Sequence, residues 1–252
     1  METETIQHCR IELLRPLRVV RADRTITHFP RQKTAHLLAY LALRPQRPHF
    51  RERLVDLLWP DLDLPAGRDS LSTTLTALRP VLEPPGTPRG AVLVATRQHI
   101  GLNPEAVWID AAEFERRIAQ AKKIPEPGVR AQAWAKTAAL YQGEPLAGMY
   151  SEWALQAAER LRCLFVEILQ FWSESLEENG DLAGAREIAR RWVTAEPHAE
   201  EAHLYLIGLH ARAGHHAEAT AAARRMEQLW QEEFQSPLPP AILAKIAALL
   251  PS

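Results

Sequence analysis

Arg68, Ser72, Thr76 and Arg79 recur at steps of four, four and three residues, with Thr73 next to Ser72, in the stretch AGRDSLSTTLTALRP, residues 66–80. On a helix such steps bring side chains onto neighbouring positions of one surface. Hydroxyls placed this way can hydrogen-bond base edges or phosphates, a threonine methyl can pack on a thymine methyl, and guanidinium groups can grip phosphates. The plainer reading is the wet side of an amphipathic helix. Solvent faces usually carry Glu, Lys and Arg, which are strong helix formers. SLSTTLT is instead rich in residues that disfavour helix interiors, so something other than helix stability selects them.

Other candidate chemistry is sparse. There is no GxxxxGK[ST], GxGxxG or GxSxG pattern, and no enzymatic activity or cofactor is expected. His203, His210, His215 and His216 cluster, with His203 and His210 seven residues apart. No cysteine lies near them and no HExxH spacing occurs, so a repeat turn that carries histidines explains them better than a metal site. Trp134, Trp153, Trp172, Trp192 and Trp230 read as inter-helix packing, some of them as candidates for a protein-binding groove. Carboxylates on helical faces are read as solvating charges.

The elements that must position the 68–79 face follow from periodicity. Leu71, Leu75, Leu78 and Leu82 form its opposite, apolar stripe, and Arg68 and Arg79 flank that stripe. Pro80 is expected to truncate the helix, because it cannot continue the hydrogen-bond ladder. Upstream, residues 11–29 alternate in short runs and predict two or three strands, with Arg-Ala-Asp-Arg as a turn. RQKTAHLLAYLALRP places Ala35, Leu38, Ala39 and Ala42 on one helical face, and PHFRERLVDLLWP does the same with Phe50, Leu54, Leu57 and Leu58. Downstream, AVLVATRQHIGLN predicts a hairpin turning near Arg97 and Gln98, with Arg89 before it. The order is strands, three helices, hairpin. An Arg97 at such a tip could reach the minor groove or adjacent phosphates, although on spacing alone an exposed turn arginine is the simpler reading.

At Asp110 the character changes. DAAEF predicts an N-cap with Glu113 completing a capping box. From there the chain is helical in pattern and alanine-rich. NGDLAGAREIARR (179–191) and AGHHAEATAAARR (213–225) match at Gly180/Gly214, Ala183/Ala217, Ala185/Ala219, Ala189/Ala223, Arg190/Arg224 and Arg191/Arg225, an offset of 34 residues. That is the period of tetratricopeptide helix–turn–helix repeats. The predicted fold is mainly α: an α+β N-terminal winged helix-turn-helix over 1–105, then an all-α, tetratricopeptide-like helical domain over 106–252.

Composition agrees. The chain has 252 residues, 46% of them hydrophobic and 24% charged, enough for a real core. Its net charge of −1 hides an asymmetry: residues 1–105 hold 15 Lys+Arg against 11 Asp+Glu, and the remainder 15 against 20. A front half of net +4 and a back half of net −5 suit a polyanion partner for the front alone. No apolar run approaches the ~18–20 residues of a membrane span. METETIQHCR has acids and no apolar core, so no secretory signal is expected. Cys9 and Cys163 suggest neither a disulfide framework nor a metal site, and a reduced, cytoplasmic protein is expected.

The series KTAHLLAYLAL, RLVDLLWPD, the helix at 68–82, VWIDAAEFE, AALYQGEPLAGMYSEWALQAAERLRCLF and the repeats resembles the bacterial SARP-type transcriptional activators. These join an OmpR-like winged helix to a tetratricopeptide-like bacterial transcriptional activator domain. The resemblance runs from about residue 10 to about residue 240. It implies that 66–82 is the recognition helix, that promoter direct repeats in double-stranded DNA are bound, and that RNA polymerase is contacted. The loop Trp59–Ala66, with Trp59, Asp61 and Asp63, would touch polymerase, and the helical domain would serve homodimer formation or activation. One departure stands out. Related recognition helices tend to be Arg-rich, on a pattern like LRQALSRLRR, whereas this one reads LSTTLTALRP, with Ser72, Ala77 and Pro80 where basic residues are common. Fewer phosphate contacts imply weaker intrinsic affinity or cooperative binding at tandem sites. An adaptor of the tetratricopeptide kind, whose winged helix binds DNA weakly or not at all, is the competing reading. A third is the front of a longer regulator with an ATPase module behind.

Overall fold

The computed structural model describes residues 9–21 and 24–250. The acidic lead-in and the Ala22–Asp23 part of the first expected turn lie outside the described residues. The chain divides into two compact units that interleave in sequence: residues 1–116 with 140–162, and residues 117–139 with 163–252.

In the first unit, β1 (Cys9–Glu12), β2 (Arg18–Arg21) and β3 (Arg24–Ile26) form an antiparallel meander. The later strand β7 (Val107–Ile109) adds to β1 in parallel, giving the order β3-β2-β1-β7. Helices α1 (Gln32–Ala42), α2 (Arg51–Leu58) and α3 (Leu64–Leu82) follow the meander, and β5 (Leu93–Ala95) and β6 (His99–Leu102) form the expected hairpin. A two-residue strand, β4 (His49–Phe50), pairs with β6 and widens the hairpin into a three-stranded sheet, β4-β6-β5. Phe50 was expected on the buried face of the second helix. It belongs to β4 instead, is 61% exposed, and its ring meets that of His99 at a tilt, with centroids 4.4 Å apart.

Helix α1 is buried on more sides than its Ala35-Leu38-Ala39-Ala42 stripe predicts, since His36, Leu37, Tyr40 and Leu41 are buried as well. The reason comes from far downstream. Trp153, on the first turn of α6 (Glu152–Glu178), sets its ring edge-on to Tyr40 at 5.3 Å and to His36 at 6.1 Å. The loop before it joins the same unit, where the Gln142 and Leu146 amides donate to the Leu14 and Leu13 carbonyls. Helix α4 (Asp110–Ala121) begins at Asp110 itself, not after it. The Asp110 carboxylate accepts from the amides of Leu13 (2.7 Å), Leu14 (3.0 Å) and Ala111 (2.7 Å), so it fastens the end of β1 to α4. Burial pushes its pKa up to about 6 despite these three donors.

The second unit holds α5 (Pro127–Ala138), α7 (Leu182–Ala195), α8 (Glu200–Arg212), α9 (His216–Phe234) and α10 (Pro240–Leu249), with the later part of α6. The 34-residue repeat is structural. Gly180 and Gly214 adopt φ of +83° and +74°. Each closes the preceding helix with the same pair of bonds, Gly180 to Glu177 and Asp181 to Leu176, then Gly214 to Ala211 and His215 to His210. This is the Schellman arrangement, which needs the left-handed conformation glycine adopts without penalty. Ala185/Ala219 and Ala189/Ala223 are buried where the paired helices approach, while Ala183/Ala217 and the arginine matches are exposed. Trp134 stacks on Phe171 and Trp192 packs near Tyr205, as inter-helix packing requires. His203 is buried with its Nε2 2.8 Å from the Pro197 carbonyl, which gives it a structural role.

Candidate nucleic-acid interface

Helix α3 forms in spite of its weak helix formers because its leucines are anchored. Leu71, Leu78 and Leu82 are fully buried and Leu75 nearly so. At its start, Asp63 accepts from the Ala66 amide at 2.9 Å, an N-cap, and Pro65 occupies the first turn. The expected loop Trp59–Ala66 is therefore shorter, and Asp63 is committed to the cap. Trp59 is half-buried, while Asp61, Leu62 and Leu64 are exposed. Gly67 lets α2 come close: a Cβ there would lie 2.2 Å from the Val55 Cγ1.

The expected truncation at Pro80 does not occur. The helix runs through it to Leu82, because burial of Val81 and Leu82 offsets the one ladder bond that proline removes. The Pro80 carbonyl accepts from the Arg21 guanidinium at 3.0 Å.

Ser72, Thr73 and Thr76 are exposed together on the outer face of α3. Ser72 and Thr76 donate their hydroxyl protons back to the Arg68 and Ser72 carbonyls at 2.9 and 3.0 Å. Their oxygens then present lone pairs outward, as acceptors. Arg68, Ser72 and Arg97 line one groove of about 670 Å³ with Phe50, Arg51 and Gln98. Ser72, Thr76 and Arg79 line the adjoining groove, against Arg89 and β5. Thr73 stands on the open face of the helix, outside both groove linings.

The arginines differ in their surroundings. Arg97 is exposed at the hairpin tip, where the Thr96 hydroxyl oxygen receives the Gln98 and His99 amides. Arg68 is paired with Glu52 of α2. Arg79 is paired with Glu83, whose side chain is 2% exposed. The other Glu83 oxygen accepts from the amides of Gly90 (3.0 Å), Val92 (3.0 Å) and Leu93 (2.8 Å). Burial pulls the Glu83 pKa upward, but the three amides and Arg79 outweigh it and the net shift is downward. Glu83 thus ties the end of α3 to the first strand of the hairpin.

Besides Glu52, the acid that pairs with Arg68, two residues have roles that no sequence pattern signals. Arg51, first residue of α2, holds the hairpin tip: its amide donates to the Gln98 carbonyl and its Nε to the Thr96 carbonyl, both at 2.9 Å. Only recognition of the two-residue strand before it could have shown this. Glu83 is the second, an acid just past a helix end with nothing in its spacing to name its partners.

The family model of the bacterial transcriptional activator domain matches residues 109–250. The chain belongs to that family. No curated protein sequence matches it significantly. Among solved structures, this family member is similar to Mycobacterium tuberculosis EmbR, in a structure with a low-affinity phosphopeptide, at a TM-score of 0.78 and 18% identity. The match covers 97% of this chain and 66% of the EmbR chain, just short of two thirds of its length. At that identity the likeness is one of fold. It matches the mainly α architecture of sheets, three helices and hairpin followed by helical repeats. Among the described residues no helix is long and apolar enough to cross a membrane.

Proposed function

We propose that the protein is a cytoplasmic, DNA-binding transcriptional activator of the SARP type. In this reading residues 1–105 bind promoter direct repeats and residues 106–252 serve homodimer formation or activation. Helix α3 enters the major groove, whose width admits one helix. Ser72, Thr73 and Thr76 read bases, and Arg68, Arg79 and Arg97 position the phosphates. The observation that carries this reading is the exposed hydroxyl face of α3, with Arg97 and Arg51 brought beside its Arg68 and Ser72. The outward lone pairs of Ser72 and Thr76 favour amino donors, which the major groove offers on adenine and cytosine. RNA polymerase meets the loop at Trp59, Asp61 and Asp63, a reading supported by exposed Asp61 beside exposed Leu62 and Leu64.

Selection of bound sequences from a random DNA pool tests this. A direct repeat should emerge, and anisotropy on that repeat should show weaker binding by Thr73→Ala and Arg97→Ala. An unenriched pool contradicts it. A second reading, an adaptor whose winged helix binds DNA weakly or not at all, draws on the pairing of Arg68 and Arg79 with carboxylates. An unenriched pool together with retained protein partners favours the adaptor.

A further inference from the structure

The groove at the start of α3 collects three guanidinium groups and one carboxylate. Arg51 is held by the hairpin, Arg97 stands exposed at its tip, and Arg68 comes from α3. Arg51 spends its Nε on the Thr96 carbonyl, which leaves its terminal nitrogens free to face the groove. The one acid there, Glu52, sits on the first turn of α2 and takes the Arg68 Nη2. Both side chains of that pair are more than half exposed, 53% for Arg68 and 62% for Glu52. An ion pair so wetted is weak and exchangeable. A phosphate is a natural replacement, since it accepts from the same guanidinium with more oxygens and more charge.

Resting on the DNA-binding reading above, we propose that this groove is a subsite for one backbone phosphate of DNA, and that Glu52 is a built-in competitor for it on Arg68. With Glu52 in place Arg68 is neutralised and adds no net phosphate contact; removing Glu52 releases it to the phosphate. The arrangement lowers non-specific grip on any duplex. It also gives a local cause for weak phosphate binding at this end of the helix.

The test is a double-mutant cycle on the full chain. It measures anisotropy with the selected repeat and with a scrambled duplex, each over a salt series. Glu52→Gln keeps the side-chain size and removes the charge. It should tighten binding to both duplexes about fivefold at low salt, the effect of one charge-assisted contact, and steepen the log–log salt slope by about 0.9. In an Arg68→Ala background the same substitution should change affinity less than twofold. Glu105→Gln removes an equal charge from an exposed position outside both grooves and should leave the slope unchanged. The proposal is overturned if Glu52→Gln binds like the parent. It is equally overturned if the tightening persists without Arg68, because the effect is then general charge. If neither the parent nor Glu52→Gln binds any duplex at low salt, the DNA-binding reading itself fails, a result distinct from both.

Discussion

At the start of α3, Arg68 meets Glu52 with both side chains largely in water; at its end, Arg79 meets Glu83 with the acid's side chain 2% exposed and three backbone amides on its other oxygen. The two pairs look alike in sequence terms, each an arginine of α3 with a nearby glutamate. They are opposite in consequence. An exposed pair is worth about 0–1 kcal/mol and can be exchanged for another anion. A buried carboxylate that satisfies three amides cannot leave without orphaning them, and breaking such a group costs roughly 3–5 kcal/mol. The first end is therefore free to do surface chemistry. The second builds the hairpin that presents Arg97.

The comparison breaks most visibly at Glu83. Glu83→Leu should destabilise the protein by about 3 kcal/mol or more, measured by urea unfolding, because the amides of Gly90, Val92 and Leu93 and the Arg79 guanidinium lose their acceptor. A loss below about 1 kcal/mol would show that the tie is dispensable. Glu83→Gln keeps one acceptor oxygen and should cost about 1–2 kcal/mol near neutral pH.

Acid sharpens this difference. The folded Glu83 pKa lies below the ordinary 4.5, so the unfolded chain takes up its proton first as pH falls. The stability this group contributes is complete above 4.5 and is lost as pH drops through the folded value. The gap between parent and Glu83→Gln should therefore shrink between pH 6 and pH 3 in thermal unfolding. A constant gap would mean that the charge of Glu83 contributes nothing.

Smaller effects are expected away from the buried end. Arg97→Ala should leave stability within about 0.5 kcal/mol of the parent. Its effect belongs to DNA, where the salt slope should fall by about 0.9 for one lost phosphate contact. Arg68→Ala should do least. It removes an exposed pair worth less than about 1 kcal/mol, and it weakens DNA binding less than Arg97→Ala because Glu52 already occupies the guanidinium. If Arg68→Ala proves as damaging to stability as Glu83→Leu, the distinction between the two ends is mistaken.

What the sequence disclosed about these ends follows from the range over which each feature acts. The stripe Leu71-Leu75-Leu78-Leu82 is periodic, so the helix and its buried side were legible. The 34-residue repeat was legible for a similar reason, since Gly180 and Gly214 sit in turns that demand a positive φ. Strand β4 was not legible: two residues cannot display a period of two, and its pairing with β6 is fixed by the hairpin. The proline rule misled at Pro80 because it weighs one ladder bond and ignores the buried Val81 and Leu82 beyond. The cover that Trp153 lays over His36 and Tyr40 of α1 was not legible either, because no local window contains both. The polar face Ser72, Thr73 and Thr76 could be named from composition. The carboxylates that set the charge of its neighbours could not, because Glu52 and Glu83 acquire partners only when α2, α3 and the hairpin meet.

In the proposed function the hydroxyl face of α3 reads DNA sequence while arginines supply the grip. The most direct measurement compares sequences selected from a random DNA pool by the parent and by the Ser72→Ala/Thr73→Ala/Thr76→Ala triple variant, with affinities for selected and scrambled duplexes at matched salt. The variant is expected to bind scrambled duplex as the parent does, with the same salt slope, but to lose preference for the parent's sequence. A variant that enriches the same sequence as the parent, with undiminished preference, would contradict it.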